Sequence, residues 1–219
     1  MLAMVEVSIP PVGLRGTLAV PQGANAIVVF VHGSGSSRLS PRNRAVAAAL
    51  NEAGIATLLF DLLTVDEEAD RANVFNIALL ALRLTDAIRW LDNEPRAKNL
   101  ALGLFGASTG AAAALVAAAH RDSPVQAIVS RGGRPDLARG ALAEVRAPTL
   151  LIVGGIDYGV IELNQQAFAQ LNCVKALEIV PGASHLFPEP GALEAVIDHA
   201  TRWFTRYLCS GREQSAAER

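Results

Sequence analysis

A chain of 219 residues with 51% hydrophobic and 18% charged residues is long and apolar enough for one domain around a substantial core, which excludes a disordered polypeptide. A formal net charge of −2 and a pI near 6.1 supply no long-range field for nucleic acid or anionic lipid, so neither is expected as a partner.

Two strands are predicted first, over Val5–Ile9 and Leu14–Val20, with Pro10-Pro11-Val12-Gly13 turning between them to make an antiparallel edge. Short apolar runs then alternate with helical segments. The runs are Ala26–Val31, Ile55–Phe60, Leu100–Phe105, Val125–Val129, Thr149–Val153 and Ala176–Val180. Ile77, Leu80, Leu84, Ile88 and Leu91 share one face of a long helix, and Leu193, Val196, Ala200, Trp203 and Tyr207 share a face of the last. An Ala-rich helix over Ala111–His120 is small enough to lie close under a sheet. This alternation implies βαβ crossovers and an α/β fold: a mostly parallel sheet of about eight strands with helices on both faces. A single domain is expected over residues 1–210, followed by a polar tail, Gly211 to Arg219, that frays.

The two cysteines, Cys173 and Cys209, are too few for a disulfide scaffold. Residues Met1 to Pro10 lack the features of a secretory leader, and no apolar run approaches the ~20 residues of a bilayer span. A cytoplasmic location is the expectation. The four histidines are scattered without ligand spacing, so no metal and no cofactor are expected.

Ligands of open parallel sheets bind beyond the carboxyl ends of the strands, so the loops after the apolar runs carry the chemistry. After Leu100–Phe105 comes Gly106-Ala107-Ser108-Thr109-Gly110 and then the Ala-rich helix. A serine on a sharp strand-to-helix turn is forced into a strained conformation that lifts its hydroxyl above the sheet, beside the positive helix end. The alternative is an ordinary turn feeding a helix N-cap. After Thr149–Val153 lies Asp157, able to accept from a histidine Nδ1–H; alone, it would be a turn former. After Ala176–Val180 lies His185, on a Gly/Pro-rich loop suited to a general base. The order Ser108, Asp157, His185 brings nucleophile, acid and base to one sheet edge. Asp136 is the rival acid and Asp61 a more remote one; His32 reads as a loop-shaping residue, and His120 and His199 lie within predicted helices.

Ala26–Val31 runs into His32-Gly33-Ser34-Gly35-Ser36-Ser37, where small residues let backbone N–H groups approach a ligand. The N–H groups of Ser34 and Thr109 are the expected oxyanion donors. A nucleotide-phosphate loop would need a lysine, and this one has none. Arg131 and Arg134 follow a strand end, and Arg38, Arg42 and Arg44 follow the oxyanion loop. Arg131 is the candidate for holding an anionic substrate, against the plainer reading of solvated surface arginines.

These residues resemble the α/β-hydrolase superfamily and, within it, the dienelactone-hydrolase-like group. The resemblance is carried by His32-Gly33-Ser34-Gly35, Gly106-Ala107-Ser108-Thr109-Gly110, Leu150–Asp157 and Gly182-Ala183-Ser184-His185, and covers Val5 to Leu208. It implies an eight-stranded sheet and a Ser-Asp-His triad. Dienelactone hydrolases proper carry cysteine as nucleophile; Ser108 stands there in this chain, so the dienelactone substrate does not transfer with the fold. The segment from Val129 to Thr149 is too short for a large lid, and an open site for small esters or lactones, cleaved through an acyl-enzyme, is expected. A serine peptidase of the same fold and a non-catalytic ligand-binding domain are the alternatives.

Overall fold

The computed structural model describes residues 1–209; the predicted tail, Gly211 to Arg219, lies outside the described residues. Its centre is one eight-stranded sheet. The chain order is β1 (Leu2–Ile9), β2 (Leu14–Pro21), β3 (Ala26–Val31), α1 (Pro41–Glu52), β4 (Ala56–Phe60), two short helices α2 (Val65–Ala69) and α3 (Arg71–Val74), α4 (Ile77–Leu91), β5 (Ala101–Ala107), α5 (Thr109–Ala118), β6 (Val125–Arg131), a kinked 3-10 segment (Pro135–Glu144), β7 (Thr149–Gly154), α6 (Tyr158–Gln170), β8 (Lys175–Val180) and α7 (Ala192–Phe204). In space the strands run β1-β2-β4-β3-β5-β6-β7-β8. β1 pairs antiparallel with β2, and β2 with β4; every later pairing is parallel. This is the α/β-hydrolase arrangement expected from the sequence, with no large lid between β6 and β7.

The unbroken apolar runs have a direct cause. Successive side chains of a strand point to opposite faces, and here both faces are covered. In β3, Ile27, Val29 and Val31 join one core with α4 and α5, while Ala26, Val28 and Phe30 join a second core with α1 and α7. α4 starts at Asn76, whose side chain accepts the Leu79 N–H at 3.1 Å, and buries Leu80, Leu84, Ile88 and Leu91. Each such leucine adds roughly 1.5–3 kcal/mol relative to exposure.

Two details depart from the sequence expectation. The deepest row of the last helix is Ala192, Val196, Ala200, Phe204 and, beyond the helix proper, Leu208, with Leu193, Trp203 and Tyr207 only partly buried. Gly103 is the cause: a Cβ there would come within 2.8 Å of Phe204 Cε1, so its absence opens the slot that Phe204 fills. The Ala-rich helix stops at Ala118, leaving His120 outside it.

Candidate active site

Ser108 stands between β5 and α5 with φ +50° and ψ −122°, a region that costs a non-glycine residue on the order of 1–3 kcal/mol. Contacts on every side hold it there. Its N–H donates to Arg131 O at 3.3 Å, and its carbonyl accepts from Arg134 N–H at 3.0 Å and Ala111 N–H at 3.1 Å. A Cβ on Gly110 would sit 2.1 Å from Val31 O, and one on Gly106 would sit 2.5 Å from Ala111 Cα. Both glycines are therefore required by close backbone approach, which lets α5 start directly under the tips of β3 and β5.

Asp157 occupies the N-cap position of α6, yet its side chain caps nothing. Instead Oδ2 accepts from His185 Nδ1–H at 2.7 Å. A carboxylate can only accept, so the proton sits on Nδ1 and Nε2 is left as the basic nitrogen. The histidine loop is braced: Gly154 passes so close that a Cβ would meet Ala183 O at 2.4 Å, and Glu189 Oε2 accepts the Ser184 N–H at 3.0 Å. His185 is about one-third exposed, with a side-chain accessibility of 37%, and it lines the same cleft of about 540 Å³ as Ser108 and the loop from Gly33 to Ser37.

The other acids are engaged elsewhere. Asp136 takes a two-pronged contact from Arg134, at 2.8 Å from Nε and 2.8 Å from Nη2. Asp61 accepts the Arg38 N–H at 2.8 Å and pairs with the Arg38 side chain at 3.3 Å. His32 is a strap between strand ends: Nδ1–H donates to Gly33 O at 3.0 Å, and Nε2 accepts the Leu62 N–H at 3.0 Å. Burial holds its pKa below the ordinary histidine value, so it stays neutral.

The two expected oxyanion amides are placed differently. Thr109 is the first residue of α5, next after the serine. The Ser34 N–H, by contrast, donates to Thr109 Oγ1 at 3.0 Å. That bond ties the loop after β3 to the helix after β5, a function for the Thr109 hydroxyl that its position alone does not announce. A smaller pocket of about 190 Å³ lies across the same loop, walled by Leu62, Leu63, Val74 and Leu80.

Of the arginines, Arg38 pairs with Asp61 and Glu6, Arg134 with Asp136, and Arg44 lines a separate groove beside β1 and β2. Arg131 does not follow β6 but ends it, and is 5% exposed. Its Nη2 donates to Asn43 Oδ1 at 3.1 Å, and its guanidinium carbon is 6.0 Å from the Phe187 ring centre. Burial, then repulsion from Arg42, pushes its pKa down to about 10, leaving it cationic at neutral pH. Asn43 had no sequence signal because its helix, α1, lacks a clean apolar stripe. Among the described residues no cluster of three or more His, Cys, Asp or Glu could hold a metal ion, and no helix is long and apolar enough to cross a membrane.

The dienelactone hydrolase family model matches residues 14–208. A crystal structure of a dienelactone hydrolase from Anabaena variabilis is 57% identical, with a TM-score of 0.90 over 95% of this chain and 98% of that one. A putative phosphoribosyl transferase of Mycobacterium tuberculosis is 58% identical over 205 residues, 94% of this chain but 46% of the relative. The chain thus spans about half the length of that curated relative. Est1E from Butyrivibrio proteoclasticus shares the fold at 16% identity and a TM-score of 0.76, covering 92% of this chain and 98% of that one. The chain belongs to the dienelactone hydrolase family.

Proposed function

We propose that this member of the dienelactone hydrolase family is a serine hydrolase that cleaves small carboxylic esters or lactones through an acyl-enzyme intermediate. The observation that carries the reading is His185, oriented by Asp157 at 2.7 Å, on the rim of the cleft that Ser108 enters from a strained turn. Ser108 Oγ attacks the carbonyl carbon as its proton passes to His185 Nε2. The tetrahedral oxyanion is held by the N–H groups of Thr109 and Ser34; the Ser34 N–H is taken over from Thr109 Oγ1 or shared with it. Each such donor is worth roughly 3–4 kcal/mol in the transition state. Collapse breaks the C–O bond to the alcohol, which leaves with the His185 proton. Water, deprotonated by the same nitrogen, then attacks the acyl-enzyme and releases the acid and free Ser108.

Ser108 replaces the thiolate of dienelactone hydrolases proper, so the acyl group rather than the family name defines the substrate. The mycobacterial relative's name belongs to a chain of roughly twice this length, of which this chain covers 46%. A serine at positive φ in one cleft with an oriented histidine is equipment for acyl transfer.

A fluorophosphonate probe, which phosphonylates activated serines, tests the assignment. Labelling of the wild type and none of Ser108→Ala is expected, together with hydrolysis of acetyl and butyryl esters in preference to long-chain ones. Equal labelling of the variant would remove the nucleophile from this reading.

A further inference from the structure

Arg131 is buried in the cleft wall, and no acid among the described residues pairs with it. Its Nε has no hydrogen-bond partner, and the charged group that perturbs it is Arg42, a second cation whose own Nε is likewise buried and unpartnered. Both side chains line the cleft of Ser108 and His185. So does the N-terminal turn of α1, a 12-residue helix with Ser40 as cap and no acidic residue in its first turn. Three sources of positive potential therefore face one cavity that has no carboxylate among its described lining residues, the nearest acid of the site, Asp157, being engaged by His185. Buried cations are ordinarily paired, and the positive end of a helix adds to their field; here it does so through its dipole, since Pro41 has no N–H and Ser40 Oγ accepts that of Asn43 at 3.4 Å. Two guanidinium groups with a helix end match a dianion better than a monoanion.

We propose that Arg131, Arg42 and the first turn of α1 form an anion subsite that takes a phosphoryl group, so that the ester cleaved beside it is a phosphorylated one. The part concerning the ester rests on the serine hydrolase reading. The subsite itself does not. Asn43 Oδ1 fixes the Arg131 guanidinium from the side of α1, and the Phe187 ring lies alongside. Together they leave the fork pre-oriented, so little side-chain entropy is lost on binding.

Two measurements test this separately. Inorganic phosphate is titrated into Ser108→Ala by calorimetry at pH 8, where it is a dianion. Saturable binding is expected, weakened about tenfold or more when Arg131→Met or Arg42→Ala is added to that variant. Arg42, half-buried on α1, serves as a second, independent variant of the subsite. Wild-type kcat/KM is then compared on short esters ending in a phosphonate, a carboxylate or a neutral amide. The phosphonate is expected to lead the amide by about tenfold or more, and Arg42→Ala to collapse that ratio. Phosphate binding unchanged by either arginine substitution overturns the subsite, and an ester preference blind to charge overturns its role in selecting a phosphorylated ester. A lead for the carboxylate overturns the dianion assignment. Binding abolished by the arginine variants in a protein that cleaves no ester upholds the subsite and refutes the hydrolase reading instead.

Discussion

Replacing Arg131 by methionine should stabilise the protein. The guanidinium pKa is pushed down from its ordinary value to about 10, first by burial and then by Arg42. At 1.36 kcal/mol per unit, keeping that group charged costs the fold about 3 kcal/mol. Because the folded value lies below the unfolded one, the folded state binds the proton less tightly. The cost is therefore full at every pH below about 10 and is relieved only as pH rises through that value. Methionine fills a similar volume without a charge, a type of exchange that is often stabilising. It also leaves Asn43 Oδ1 without the donor it now has at 3.1 Å, a loss of about 1 kcal/mol. The net gain is about 2 kcal/mol, or a rise in Tm of about 4–8 °C for a chain of this size. Thermal unfolding followed by circular dichroism at pH 6, 7 and 8 checks it, with the same rise expected at each pH. A Tm several degrees below wild type would refute the reasoning and make Arg131 a structural strut.

Asp157→Asn should lower kcat on a short ester by about three to four orders of magnitude, whereas Asp136→Asn should change it less than a few-fold; similar losses in both would unseat Asp157. His32→Ala should cost about 1–3 kcal/mol by orphaning the Leu62 N–H, measured by urea unfolding at pH 7.5. His32 titrates lower in the fold than in the open chain, so the unfolded state takes up its proton first as pH falls below about 6.5. Wild-type stability should therefore drop between pH 7 and 5, and the variant should lose part of that slope. Gly110→Ala, with a Cβ 2.1 Å from Val31 O, should cost about 3 kcal/mol or more, while Gly140→Ala, facing open space, should be neutral in the same assay.

The eight strands were legible because a sheet covered on both faces must be apolar along every strand. The loops between them were legible because Gly106, Gly110 and Gly154 stand where no Cβ fits. α1 and α6 escaped: their buried faces are narrow, with Val46, Ala47 and Leu50 on one and Asn164 and Ala167 on the other, and exposed polar positions blur the period. The burial of Arg131, a candidate for anion binding in the sequence, was not legible because burial of a cation has no signature in a single sequence; it follows from Asn43 and Phe187, which are distant in the chain. The Ser34–Thr109 bond was hidden for the same reason, joining residues 75 apart.

The composition of α5 also bears on how such a protein can diverge. Between Thr109 and Ala118 its buried positions are alanine, glycine or threonine except for Leu115, and the helix is enclosed on nearly all sides. Side chains this small leave no alternative rotamers to explore, and any larger one must displace the backbone that carries Ser108. The wall bearing the nucleophile is thus closed to gradual remodelling. New substrate preferences have to arise elsewhere in the cleft, through lining residues such as Leu39, Arg42 and Leu186, which lie outside α5.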